Sequence, residues 1–104
     1  MSIHAIVQEK EQEVRALCLK HHVRRLDVFG SATREDFDPL RSDIDFLVEF
    51  DELSMKQHAD DYFGLLFALE DLFERKIDLV EREPLRNPYF IQEIEETRVR
   101  LYAA

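Results

Sequence analysis

From residue 43 to residue 50 the chain alternates without a break. Ile44, Phe46, Val48 and Phe50 take the even positions, and Asp43, Asp45, Leu47 and Glu49 the odd ones. Successive side chains on a strand point to opposite faces, so this run predicts a strand with one apolar face and one face that bears two aspartates. The apolar face has to be covered, which calls for helices packed against it. The other face cannot enter a core with two carboxylates on it, and is expected to line an opening. Helices layered over one side of a small sheet meet both demands.

The remaining segments supply those layers. Ile3, Ile6, Val7, Val14, Leu17 and Cys18 fall near helical spacing, which predicts an amphipathic helix over the first twenty or so residues. Residues 25–29 read as a short strand stopped by Gly30 and Ser31, and 32–42 as a short helix and loop broken at Pro39. Over 58–73, Tyr62, Leu65, Leu66, Leu69, Leu72 and Phe73 share one helical stripe opposite Asp60, Asp61, Glu70 and Glu74. Residues 76–80 read as a third strand. Asn87 and Pro88 offer an N-cap and a first-turn proline for a last helix with Phe90, Ile91, Ile94 and Leu101. The expected fold is α/β (α+β): one domain over 1–104, with a small mixed sheet of three to four strands and helices on one face.

Charge and cysteine content narrow the function classes. With 23 acidic against 14 basic residues the formal net charge is -9, which runs against a surface built to hold a nucleic-acid backbone. No direct nucleic-acid contact is therefore expected. One cysteine, Cys18, makes neither an internal disulfide nor a cysteine-cluster zinc site. The first charge cluster arrives before any apolar run long enough for a signal peptide or membrane span, so the expectation is a cytoplasmic protein with no membrane contact. His4, His21, His22 and His58 lack metal-ligand spacing and read as surface or capping residues.

Residues i and i+2 of a strand project to one side roughly 6–7 Å apart, close enough for two carboxylates to converge on one hard cation such as Mg²⁺. An Asp-x-Asp triplet is weak evidence alone, and Asp36-Phe37-Asp38 is a second one, set beside Pro39 without alternation and read as a turn former. Asp43 and Asp45 differ because they sit on a strand that follows another strand ending in Gly30 and Ser31. A Gly-Ser turn lets the backbone approach a ligand and turns amide N–H groups and a hydroxyl toward an anion. Asp78 lies among apolar neighbours in the third strand. Beside Asp43 and Asp45 it would complete a cluster of three carboxylates, which needs cations if none of them is to protonate.

Together Gly30-Ser31, Asp43-Ile44-Asp45 and Asp78, with the lead-in Leu-Asp-Val-Phe and the closing Asn-Pro-Tyr-Phe, resemble the minimal nucleotidyltransferases (MNT) of the polymerase-β-like superfamily. The resemblance spans nearly the whole chain. It departs in two places: eleven residues separate Ser31 from Asp43, and Glu35 follows Arg34 where relatives usually have glycine. The resemblance implies transfer of AMP from ATP to an acceptor hydroxyl, with pyrophosphate leaving. It further implies that Asp43 and Asp45 bridge two Mg²⁺ ions, that Asp78 ligates the acceptor-side ion and helps take the proton, and that Gly30, Ser31 and Arg34 hold the triphosphate. Such proteins are encoded beside HEPN-type ribonuclease toxins. The implied partner is a cognate HEPN-type toxin, held in a hetero-oligomer and AMPylated on a tyrosine near its active site by this antitoxin. Two other readings are an antitoxin that neutralises its partner by occlusion alone, and nucleotidylation of a small-molecule hydroxyl. Three adjacent carboxylates weigh against the first, and the short chain, with no domain to shape an acceptor pocket, against the second.

Overall fold

The computed structural model describes residues 5–34, 37–38, 41–52, 55–82 and 86–104. In chain order the elements are α1 (Ala5–Gln8), α2 (Glu11–Lys20), β1 (Val23–Phe29), one turn of 3-10 helix (Gly30–Thr33), β2 (Ile44–Phe50), α3 (Met55–Phe73), β3 (Ile77–Glu81), α4 (Pro88–Thr97) and β4 (Val99–Ala103). The strands form one sheet in the order β3-β2-β1-β4. β1 runs antiparallel to both β2 and β4, whereas β2 and β3 are parallel, with α3 as the crossover that a parallel pair requires.

The alternation in β2 works as its sequence predicts. Ile44, Phe46 and Val48 are fully buried and meet Leu26 and Val28 of β1, Val14 and Cys18 of α2, and Leu65, Leu69 and Phe73 of α3 in the main core. Burial pushes the Cys18 thiol up to about 12, so it stays protonated and unreactive. On the opposite face Leu47 joins Phe29 and Ile94 in a second, smaller cluster. Helices therefore cover the even face as expected in the case of α2 and α3, whereas α4 lies across the odd face. The reason is local: Leu47 and Phe29 leave apolar area there that the aspartates do not occupy, and α4 buries it.

Three expectations change. The last helix ends at Thr97 instead of running through Leu101, and Val99–Ala103 becomes a strand on the outer edge of β1, with Leu26 opposite Tyr102 and Asp27 opposite Arg100. Pairing there satisfies backbone groups that β1 would otherwise leave open at an edge. The first helix is interrupted between Gln8 and Glu11, and the short helical turn at Gly30–Thr33 begins ahead of the predicted segment and overlaps only its first two residues. Asp38 does make a turn, through Ser42 N–H to its carbonyl at 2.8 Å. Ile3, His4, Glu35, Asp36 and Pro39 lie outside the described residues.

Asp61, assigned by spacing to the polar side of α3, is buried at 7% exposure. His22 Nδ1 lies 2.8 Å from its carboxylate and His21 Nδ1 3.8 Å. His21 packs on Gly64, where a Cβ would come within 2.7 Å of the ring, and desolvation lowers its pKa. These two histidines thus tie the corner between α2 and β1 to α3. His58, likewise, sits 2.7 Å from Glu81 at the end of β3.

At the start of α4 the Asn87 side chain accepts from the N–H groups of Tyr89 at 2.9 Å and Phe90 at 3.3 Å, with Pro88 in the first turn. Removing this cap by Asn87→Ala should cost about 1 kcal/mol, measured as a lower urea midpoint at unchanged slope. An unchanged midpoint would mean that packing alone holds α4. Among the described residues no helix is long and apolar enough to cross a membrane.

Candidate active site

Three strands bring the candidate site residues to one corner of the sheet. Phe29, the last residue of β1, lies opposite Asp45, and Asp45 lies opposite Asp78 of β3. Registered neighbours on adjacent strands share a face, so the Asp45 and Asp78 side chains project together, with Asp43 just ahead of the strand. Gly30 follows Phe29 with φ +71°, and a Cβ there would lie 2.6 Å from Asp45 Oδ2. The chain can turn this tightly against the carboxylate only because position 30 is glycine.

Asp45 has its pKa raised from 3.8 to about 7. Burial is the largest cause, followed by a hydrogen bond with Asp78 and the negative charges of Asp78, Asp43 and Glu93. Up to about pH 7, burial and the neighbouring negative charges therefore favour the protonated form of Asp45. Asp43 stands apart, with its side chain 40% exposed and one oxygen 3.9 Å from Lys76 Nζ. Among the described residues no three His, Cys, Asp or Glu side chains are arranged as they stand to hold a metal ion. The three aspartates predicted as a cluster thus share one region of the sheet, two in contact and one beside them. Their oxygen donors suit a hard cation such as Mg²⁺, and the negative charges of Asp43, Asp78 and Glu93 that help raise the Asp45 pKa are ones such a cation would offset.

The turn after β1 differs from its expected form. Gly30 N–H, expected to face an anion, donates instead to Thr97 Oγ1 at 2.9 Å. Thr97 Oγ1 donates in turn to the Glu93 carbonyl at 2.8 Å, and Thr33 Oγ1 donates to the Gly30 carbonyl at 2.6 Å. Ser31 is half-buried in the same turn. Arg34 leaves the turn toward α4, its guanidinium 3.6 Å from Glu93 Oε1. Gly30, Ser31 and Arg34 are thereby brought to the corner that holds Asp45. Nothing in the sequence alone marks Glu93 or Thr97 as neighbours of this site. The available signal is their separation by one helical turn, flanking the positions Phe90 and Ile94 that pack on the sheet.

Residues 8–101 match the family model described as a nucleotidyltransferase domain. A provisionally named protein adenylyltransferase of Methanocaldococcus jannaschii is 36% identical over 77 residues, covering 74% of this chain and 75% of the relative. A second one from the same organism is 32% identical over 95 residues, covering 90% and 89%. Among solved structures, a provisionally identified minimal nucleotidyltransferase superposes with a TM-score of 0.67 at 30% identity, over 89% of this chain and 90% of that one. The fold also recurs in the complex of tri-AMPylated Shewanella oneidensis HEPN toxin with MNT antitoxin, with a TM-score of 0.62 at 19% identity over 93% and 72% of the two chains. A family match over nearly the whole chain coincides with paired carboxylates beside a glycine turn: this chain belongs to the nucleotidyltransferase domain family and is a nucleotidyltransferase.

Proposed function

We propose that this enzyme transfers AMP from ATP to a tyrosine hydroxyl of a cognate HEPN-type toxin, acting in the cytoplasm as the toxin's antitoxin, with two Mg²⁺ ions held by Asp43, Asp45 and Asp78. The observation that carries this reading is the in-register pair Asp45 and Asp78 next to Gly30. The adenylyl group and a protein acceptor draw support from the names of the M. jannaschii relatives. The toxin partner and ATP draw support from fold neighbours solved as toxin–antitoxin complexes, one of them with AMP-PNP.

Once Asp45 gives up its proton, the pair offers oxygen ligands from one side of the site. Bound there, Mg²⁺ supplies charge neutralisation for the triphosphate and lowers the pKa of the acceptor hydroxyl. The chain's own residues bind and orient. The absent side chain of Gly30 lets the turn close directly against the Asp45 carboxylate. Ser31 offers a hydroxyl from the same turn, and Arg34 a guanidinium suited to phosphate oxygens. Asp78, half-buried and next to Asp45, is the carboxylate assigned to receive the acceptor's proton.

The test is incubation of the protein with ATP, Mg²⁺ and the HEPN-type protein encoded beside it, followed by mass spectrometry of the partner. An adenylyl group on a tyrosine is the expected result. Neutralisation of the partner without any added group would instead establish occlusion, and transfer that survives Asp43→Ala combined with Asp45→Ala would remove the carboxylates from the mechanism.

A further inference from the structure

Arg34 comes out of the turn at the carboxylate corner and meets Glu93, with both side chains 45% exposed and 3.6 Å between them. The backbone that carries Glu93 is fixed, because α4 is anchored along its length. Asn87 caps its start, Phe90 packs edge-on against Phe29 at 5.8 Å, and Ile94 is buried with Phe29 and Leu47. Thr97, one turn after Glu93, accepts the Gly30 N–H and donates to the Glu93 carbonyl. An anchored helix therefore carries the Glu93 carboxylate to the corner where three aspartates already stand, and its charge adds to theirs on Asp45. Crowding a fourth negative group into that corner is unfavourable unless a cation holds it, and Arg34 supplies the cation. A guanidinium engaged with a carboxylate is not presenting the same N–H groups to a phosphate.

We propose that Glu93 is a resident counter-ion of Arg34 which the nucleotide triphosphate displaces on binding, so that α4 sets how tightly the site holds nucleotide. This inference rests on reading the corner as the triphosphate site. Glu93 acts through Arg34 and is a positioning residue. Its carboxylate occupies the guanidinium while the site is empty and withdraws when phosphate oxygens take its place. The N–H of Gly30 is held by the same helix, so the two ends of the turn are tied to α4 together.

Calorimetric titration of ATP in the presence of Mg²⁺, with no partner protein and hence no acceptor, tests this directly. Glu93→Gln should tighten ATP binding by about two- to fivefold, the reach of a half-exposed ion pair, and Glu93→Lys by more. Arg34→Ala should weaken binding, and in that background Glu93→Gln should give no gain. An equal gain with and without Arg34 would show only relief of negative charge and would overturn the inference, as would no gain or a loss in the wild-type background. In each of those outcomes ATP still binds, so the triphosphate site stands. If the unaltered protein binds no ATP, that site and the inference fall together. Equal melting temperatures for the variants without nucleotide keep the comparison free of folding defects.

Discussion

Asp45→Asn should lower nucleotidyl transfer by at least about 100-fold and at the same time stabilise the cation-free protein above neutral pH. The loss of activity follows from the role proposed for Asp45, since the substitution removes a charged oxygen from the pair proposed to hold the cation. The gain in stability follows from what that charge costs. An aspartate that ionises at 3.8 when unfolded and at about 7 when folded takes up a proton on folding between those values. Below 3.8 both states are protonated and Asp45 imposes no penalty. As the pH rises through that window toward about 7, stability is lost progressively, because the folded protein must either keep a proton the unfolded chain releases or ionise a carboxylate against Asp78. Asp45 is only partly buried, so water screens much of this and the cost left at pH 8 is about 1 kcal/mol. Asparagine keeps the shape and a hydrogen bond to Asp78 without the charge. Melted in a chelator, the variant should exceed the wild type at pH 8 and match it near pH 4. Coincident melting curves at pH 8 would show that Asp45 ionises freely. Adding Mg²⁺ at pH 8 should raise the melting temperature of the wild type more than that of the variant, since only a ligand of the folded state stabilises it.

A single methyl group at position 30 should do nearly as much harm. Gly30 has φ +71°, a conformation that costs an L-residue about 1–2 kcal/mol, and its added Cβ would sit 2.6 Å from Asp45 Oδ2. The carboxylate is the movable party and would swing away, which also breaks its contact with Asp78. Gly30→Ala is therefore expected to lose about 1–3 kcal/mol of stability and roughly 10- to 100-fold in transfer, because in the proposed mechanism a carboxylate about an ångström out of place is costly. Full activity in this variant would mean that nothing needs to approach Asp45 from the side of the turn.

The two differ in how they could be anticipated. Gly30, Asp43, Asp45 and Asp78 were visible as types in a pattern, and the strand Ile44–Phe50 announced its two faces through strict alternation. The stripe of α3 is equally plain, although it places Asp61 on the polar side, because the pattern of apolar positions does not show that His22 pairs with a buried carboxylate there. β4 was hidden for a related reason. Val99, Leu101 and Tyr102 follow directly on a helix, and five residues are too few to separate period two from helical spacing. What makes them a strand is the open edge of β1, a partner some seventy positions earlier in the chain.

By itself the sequence determined the two-faced strand, the glycine turn and the identity of the acidic residues, since alternation and turn chemistry are properties of neighbours along the chain. Tertiary structure alone decided that Asp45 faces Asp78 and has its pKa raised by burial there, that α4 crosses the carboxylate face, and that Glu93 meets Arg34 while Thr97 takes the Gly30 N–H from 67 positions away. Those are matters of strand register and helix docking, which follow from how apolar surfaces are buried across the whole domain and leave no local trace.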